Sequence, residues 1–359
     1  MLSSLSPGVK STLAYGLINV ICKACGVLML PITSRYLDPD SFGLLEVLVT
    51  IIYVFILFDF GAQSLQRFAA KDVNSAEFDK QLASAVFSVL LFALPISILF
   101  LCSAYYWQPQ LFSSLVFVGI TIFFALVYAP MFTAMRLENR LKAYGFFAIF
   151  YVVTQTVLTI VGLMLGYGIN AVLAANALSS SLSCLLAFVL YRKCFTRKNI
   201  DYHLVKINYR YQWPLVFAAI LAFIYQGLDK WVLADMVSLA SVAYYGIASK
   251  FVMIALFAML PVQQWWHAKR FAILDKHNDI AALSRITNVI ILMHLITSVT
   301  IISISLCLFE WIVPRTYDQA KLIIPALTLA YTFKNLPDLV ATGAYAADRP
   351  WGVPIINAC

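Results

Sequence analysis

The sequence predicts an all-α protein that crosses a membrane about ten times. Of its 359 residues, 62% are hydrophobic and only 12% are charged, whereas soluble domains are roughly half apolar and a quarter charged. The mean hydropathy is +0.86. The apolar residues form blocks close to the roughly 20 residues that a spanning helix needs. The predicted spans are 12–34, 44–62, 82–104, 111–134, 144–166, 171–191, 212–235, 242–263, 286–308 and 322–345.

The basic residues indicate how these helices are oriented. Eighteen of the 25 Lys and Arg residues lie in every second connection, and the other connections hold only Arg35, Arg315 and Lys321. Basic residues concentrate in cytoplasmic loops, so this bias predicts a cytoplasmic N-terminus. The net charge of +8 therefore reflects membrane topology rather than a surface for nucleic acid.

The connections also suggest a division into two lobes. The longest and most basic connection, 192–211, predicts a linker between an N-terminal lobe, 1–191 with helices one to six, and a C-terminal lobe, 212–359. Gly43 and Gly246 each open a helix, and 20 residues before them stand Lys23 and Gln226, which indicates a weak internal repeat. Residues 351–359 begin an eleventh apolar segment, so we expect the second lobe to be incomplete.

Polar residues inside the spans are the candidates for function. A lysine at a helix centre costs about 2.5 to 3.5 kcal/mol unless it is paired or faces water. The predicted spans hold four: Lys23, Lys230, Lys250 and Lys334. Spacings of three and four residues place Asn19 beside Lys23, and Gln226 beside Asp229 and Lys230, on common helix faces. We predict that Lys23, Lys230, Lys250, Asn19 and Gln226 line a wet cavity, where the lysines attract a phosphate or an acidic sugar.

Other polar residues have structural alternatives. Asp59 or Asp229 can pair with a lysine and hold helices together. Lys334 and Asp338 are four residues apart, and an ion pair is the favoured interpretation for them. For His294, a packed core position is favoured over a proton relay. These five residues are the candidates for ion coupling or ion pairing.

Nothing in the sequence indicates an enzyme, a cofactor or a metal site. Phosphate-binding loops of the Walker type, nucleophile elbows and zinc-binding H-E-x-x-H patterns are absent from it. The seven cysteines are scattered through apolar segments and are interpreted as small hydrophobic residues.

Several motifs resemble those of the polysaccharide-biosynthesis oligosaccharide flippases, the Wzx family. In the first half they are 30–44 (LPITSRYLDPDSFGL) and 60–67 (FGAQSLQR). In the second half they are 227–233 (GLDKWVL), 243–250 (AYYGIASK) and 263–266 (QQWW). The likeness runs over nearly the whole chain, and its motifs are shared across the multidrug/oligosaccharidyl-lipid/polysaccharide exporter superfamily.

The resemblance implies two helical lobes in a V, with helices one, two, seven and eight around a central cavity. Lys23, Lys230 and Lys250 lie on three of those helices. It implies transport of an undecaprenyl-pyrophosphate-linked repeat unit of O-antigen or capsule across the bacterial inner membrane by alternating access. Polysaccharide polymerase and chain-length proteins are the implied partners, besides membrane lipid. Family members usually have twelve to fourteen helices, more than the ten predicted here.

Two other functions compete with this one. A proton- or sodium-coupled small-molecule exporter of the same superfamily would rely on carboxylates such as Asp59 and Asp229, and drug-resistance tests distinguish it. A membrane glycan polymerase or ligase would need a sizeable outer loop, and none exceeds roughly a dozen residues between the predicted spans. A glycosyltransfer product made by purified protein would support that enzyme.

Overall fold

The protein is built from α-helices. The computed structural model describes residues 7–57, 61–69, 73, 75–277 and 280–340, and within that part no strand occurs. The helices are α1 Pro7–Leu28, α2 Leu30–Tyr36, α3 Pro39–Leu57, α4 Ala62–Phe68, α5 Ala76–Trp107, α6 Phe112–Leu137, α7 Leu141–Met164, α8 Ile169–Leu190, α9 Tyr202–Gln226, α10 Leu228–Met236, α11 Leu239–His277, α12 Ile280–Ile312 and α13 Ala320–Val340. The predicted eleventh apolar segment lies outside the described residues.

Eight segments of the described chain are long and apolar enough to cross a membrane. They are Ala14–Tyr36, Pro39–Phe68, Ala76–Trp107, Pro109–Leu137, Leu141–Met164, Ile169–Leu190, Leu239–Leu260 and Ser284–Ile312. The all-helical, multi-span fold class is thereby confirmed. The remaining predicted spans, 212–235 and 322–345, correspond to α9 with α10 and to α13, which carry charged residues such as Lys230 and Lys334. The number of ten spans stays a prediction.

Two predicted spans are each divided into two helices. The first is interrupted at Met29, because Pro31 at the start of α2 cannot donate a backbone hydrogen bond into α1. The seventh is interrupted at Gly227, which has φ −138° between α9 and α10. A Cβ atom there would come within 2.7 Å of the Phe223 ring and 3.2 Å of Thr50. The second break therefore places α10 close to α3.

Small side chains allow the helices of the N-terminal part to approach closely. Ala171, Ala175, Ser179 and Ser183 form a buried stripe at four-residue spacing along α8. A Cβ atom on Gly162 of α7 would stand only 2.7 Å from the Ala171 Cβ. Close contact through small residues is the usual way in which helices associate where lipid removes the hydrophobic driving force. Helix α6 packs against both α5 and α8 and supplies the centre of this bundle.

The described structure has two compact units, Met1–Val242 and Ala243–Cys359. The two lobes joined by a linker at 192–211 stay a prediction. Helix α9 belongs to the first unit because its polar side chains bind α4 and α5. Gln212 donates a hydrogen bond to the Ser64 hydroxyl at 2.6 Å, and the Tyr209 hydroxyl donates to the Ser88 carbonyl oxygen at 2.8 Å.

The second unit contains most of α11 together with α12 and α13. Trp266 of α11 is fully buried beside Ile290 of α12, and Leu336 of α13 packs against them. The rings of Phe251 and Phe309 stack at 5.7 Å between centroids. These contacts place the core of this unit between α11 and α12.

The basic connection after α8 is held by hydrogen bonds of buried side chains. The Tyr191 hydroxyl donates to Glu138 at 2.5 Å, and the Cys194 thiol donates to Asp79 at 3.1 Å. Asn199 donates its amide to the Cys194 carbonyl oxygen at 2.8 Å. The start of the predicted linker is therefore fixed on the first unit.

The Cys194 thiol is expected to react slowly. Burial, together with the Asp79 carboxylate that accepts its hydrogen bond, raises the pKa of Cys194 to about 12. Because the thiolate is the reactive form, maleimide alkylation at pH 8 should be slow in the folded protein and rapid after unfolding. Asp79→Asn removes the neighbouring negative charge, lowers the pKa and should speed alkylation, as measured by peptide mass spectrometry.

The matched control for this prediction is Glu77→Gln. Glu77 lies on the same first turn of α5, is exposed and pairs with Lys80 at 3.3 Å. This variant should leave the alkylation rate of Cys194 unchanged. Equal acceleration by both substitutions would mean that the local charge of Asp79 does not control the thiol.

Candidate functional site

An ion pair between α3 and α10 lies at the centre of the candidate site. The Lys230 ammonium is 2.6 Å from the Glu46 carboxylate, and the two side chains are only 20% and 12% exposed. Asp229 accepts the backbone N–H of Lys230 at 2.8 Å, within the first turn of α10. A carboxylate at a helix N-terminus is favoured by the helix dipole. Asp229 thus supports the start of α10, while Glu46 holds the lysine.

The helix break beside this pair explains its geometry. Thr50 of α3 is 5% exposed and donates its hydroxyl to the Glu46 carbonyl oxygen at 2.8 Å. The same threonine lies against Gly227, where α9 ends. The chain can turn at Gly227 and start α10 so that Lys230 meets Glu46, one helical turn from Thr50. We name Glu46, Thr50, Gly227 and Lys230 the α3–α10 site.

A second polar contact involves the predicted residue Asn19. The Tyr144 hydroxyl of α7 donates to the Asn19 side-chain oxygen of α1 at 2.9 Å. The Tyr15 ring meets the Tyr144 ring edge-on at 4.9 Å between centroids. The Asn19 residue is nevertheless exposed, and its predicted place in a wet cavity stays a prediction. Its neighbour Lys23 lies on α1, and the side chain of Lys23 is outside the described residues.

The predicted residues of the second unit have separate surroundings. Lys250 is half-buried on α11, one turn after Gly246. His294 is 4% exposed; one ring nitrogen lies 3.1 Å from the Gln263 amide and the other 3.0 Å from the Ile290 carbonyl oxygen. Lys334 lies over the Tyr331 ring at 5.5 Å. These contacts of His294 are those of a packed side chain, the alternative that the sequence favours, and the role of His294 stays a prediction.

Several predicted residues cannot be placed. Asp59 lies outside the described residues, and so do the side chains of Gln226 and Asp338, whose backbones belong to α9 and α13. The convergence of Lys23, Lys230 and Lys250 on one cavity stays a prediction, as does an ion pair between Lys334 and Asp338.

Sequence reasoning missed the partner of Lys230. It considered Asp59 and Asp229, whereas the structure joins Lys230 to Glu46. The signal was available, because Glu46 is an acidic residue within the predicted span 44–62 and meets the same criterion that selected Asp59. For Tyr144 no comparable signal exists, since its partner Asn19 is distant in sequence.

The first unit also contains a cavity of about 240 Å³ beside α6. Its wall is mainly apolar and ends at Thr133 and Arg136, where the guanidinium donates to the Thr133 hydroxyl at 2.8 Å. In the sequence, Arg136 is one of the eighteen basic residues of the predicted cytoplasmic connections. Among the described residues, no group of three or more His, Cys, Asp or Glu side chains could hold a metal ion.

Comparison with solved structures shows a transporter fold. An inward-facing multidrug resistance MATE family transporter of the MOP superfamily is 13% identical, with a TM-score of 0.67 over 93% of this chain and 83% of that chain. The lipid II flippase MurJ in an inward closed conformation is 16% identical, with a TM-score of 0.63 over 97% of this chain and 78% of that chain. Comparison with curated protein sequences finds no match.

The family follows from the sequence itself. The family model described as "Polysaccharide biosynthesis protein" matches residues 9–265, well over half of the chain. This match confirms the resemblance that the motifs at 30–44 and 243–250 suggested. The chain belongs to the polysaccharide biosynthesis protein family and has the fold of the MOP-superfamily transporters.

Proposed function

We propose that this protein is a flippase for an undecaprenyl-pyrophosphate-linked oligosaccharide repeat unit of O-antigen or capsule. It moves the unit from the cytoplasmic to the periplasmic leaflet of the bacterial inner membrane by alternating access. The observation that carries the proposal is the family match over residues 9–265. Its N-terminus lies in the cytoplasm, and polymerase and chain-length proteins are its partners.

The lysines within the predicted spans are the groups proposed to bind an anionic substrate. The α3–α10 site itself is not cationic, because Glu46 and Asp229 both stand beside Lys230. Lys230 is held in a largely buried position by one carboxylate, Glu46. An ammonium group binds phosphate as a compact point charge, so a pyrophosphate can compete with Glu46 for it. We propose that Lys23 and Lys250 also contribute to pyrophosphate binding, and that the sugars are moved with the head group.

Complementation tests this function. The 359-residue chain is expressed in cells that lack their own repeat-unit flippase, and surface polysaccharide is measured. The unmodified chain should restore it, whereas Lys23→Ala and Lys250→Ala should reduce it strongly at equal protein level. The control is Lys321→Ala, because Lys321 pairs with Glu310 and Asp318 at the start of α13.

Each outcome separates the candidate functions. Normal export by both lysine variants would show that Lys23 and Lys250 are not needed for transport, but it would still support the flippase function. If the unmodified chain reaches the membrane, restores no polysaccharide and instead confers drug resistance, the small-molecule exporter is correct. A glycosyltransfer product formed by the purified protein would favour the enzyme instead.

A further inference from the structure

The cavity beside α6 combines an apolar wall with one cation at its end. Its lining residues include Ile56, Ala125, Ala129 and Phe132, whereas Arg136 is the charged residue of the lining. Roughly 300 to 1,000 Å³ is usual for a site that holds a whole drug-sized ligand. At about 240 Å³ this cavity has room for only one segment of a larger molecule.

The position of the cavity along the helix matches the layers of a membrane. Arg136 lies in the last turn of the span Pro109–Leu137, where the head groups of lipids are found. Ala125 lies eleven residues earlier, which is about 16 Å deeper at 1.5 Å per residue. The cation therefore stands at head-group depth, and the apolar wall extends into the hydrocarbon layer.

The hydrogen bonding of Arg136 bears on what the cavity can bind. Arg136 is exposed, and its guanidinium donates to the hydroxyl of Thr133, one turn earlier on α6, whose side chain is almost fully buried. A guanidinium carries five N–H donors arranged for phosphate, and Thr133 accepts only one hydrogen bond. The remaining donors suit an anion bound at the cavity.

We propose that this cavity binds a single-chain lipid phosphate or pyrophosphate. Arg136 contacts the phosphate, and the first part of one hydrocarbon chain lies along Ala129 and Ala125. A volume of about 240 Å³ has room for part of one chain, and this favours a single-chain lipid over the two chains of a glycerophospholipid. The assignment of a prenyl pyrophosphate as the natural ligand rests on the proposed function, because the proposed substrate has that carrier lipid.

Binding to the purified full-length protein, reconstituted in nanodiscs of phosphatidylcholine, tests this site. The probes are farnesyl pyrophosphate, farnesol, inorganic pyrophosphate and phosphatidylglycerol. Farnesyl pyrophosphate should bind most tightly, since it alone supplies both a pyrophosphate and a single chain. Arg136→Gln should weaken its binding by about tenfold or more, because a charge-assisted contact is lost.

Two further variants make the test specific. Arg140→Gln removes the same charge one turn later, where Arg140 is exposed and lies 3.2 Å from Glu138, and it should leave binding unchanged. Ala129→Leu fills part of the cavity and should weaken the binding of both farnesyl pyrophosphate and farnesol. Thermal unfolding shows whether each variant is folded. If the Ala129→Leu variant is unfolded, the binding result for Arg136→Gln decides the test by itself.

Several results would overturn the proposal. These are no binding of farnesyl pyrophosphate, equal affinity of the Arg136→Gln variant, or equal affinity for inorganic pyrophosphate. Equal binding of phosphatidylglycerol would assign the cavity to bulk phospholipid and refute the single-chain site. Surface polysaccharide in the complementation assay tests the flippase function independently. Binding of farnesyl pyrophosphate without export would refute the proposed flippase function, whereas the proposed lipid site would still stand.

Discussion

Replacing Glu46 by glutamine is expected to destabilise the protein strongly. The substitution leaves the Lys230 ammonium, which is 20% exposed, without the carboxylate that lies 2.6 Å away. Removing one partner of a buried ion pair costs about 3 to 5 kcal/mol, because the other charge stays buried and uncompensated. We therefore expect a fall of several degrees in the thermal unfolding midpoint in detergent and a loss of export in the complementation assay.

Glu310→Gln is the matched control for this prediction. Glu310 pairs with Lys321 at 2.9 Å, but its side chain is 60% exposed. An exposed ion pair contributes about 0 to 1 kcal/mol to stability. The thermal unfolding midpoint of this variant should therefore be close to that of the unmodified protein. Similar midpoints for the two glutamine variants would show that the buried Glu46–Lys230 pair contributes no more to stability than the exposed pair.

A charge exchange tests the pair directly. Lys230→Glu alone places a second carboxylate beside Glu46 and should be at least as harmful as Glu46→Gln. Adding Glu46→Lys to it restores opposite charges and should recover part of the lost stability. Recovery of stability without export would mean that the lysine must stay on α10, as expected if it binds pyrophosphate. No recovery would argue against a direct coupling between the two side chains.

Gly43→Ala is expected to have the second large effect. A Cβ atom at this position of α3 would overlap the Leu239 carbonyl oxygen and stand 2.6 Å from the carbonyl carbon. Backbone atoms cannot move away by changing a rotamer, so α3 and the start of α11 would have to separate. Overpacking of this kind costs about 1 to 3 kcal/mol and occasionally more, which the thermal unfolding midpoint measures.

The same substitution at Gly26 provides the control. Gly26 lies within α1, and a Cβ atom there would meet no other group within 4 Å. Alanine stabilises a helix interior by roughly 0.5 to 1 kcal/mol relative to glycine. Gly26→Ala should therefore raise the midpoint slightly while Gly43→Ala lowers it. A midpoint for Gly43→Ala at or above that of the unmodified protein would contradict the close approach to Leu239.

The sequence by itself determined the fold class and the family. Apolar runs near 20 residues leave the helix as the structure that satisfies its own backbone hydrogen bonds in lipid, so composition and run length suffice. The motifs around Gly43 and Gly246 indicated the family that the match over residues 9–265 establishes. Lysines in apolar runs were recognisable as candidates because each is costly unless it has a partner or water.

Tertiary structure decided which partners these residues have. Lys230 meets Glu46 because Gly227 divides the seventh predicted span into α9 and α10, and an apolar run does not reveal such a break. Helix α9 joins the first compact unit through the hydrogen bonds of Gln212 and Tyr209. Hydropathy reports how deep a residue lies in the membrane, whereas pairing depends on which helix faces which, and packing alone determines that.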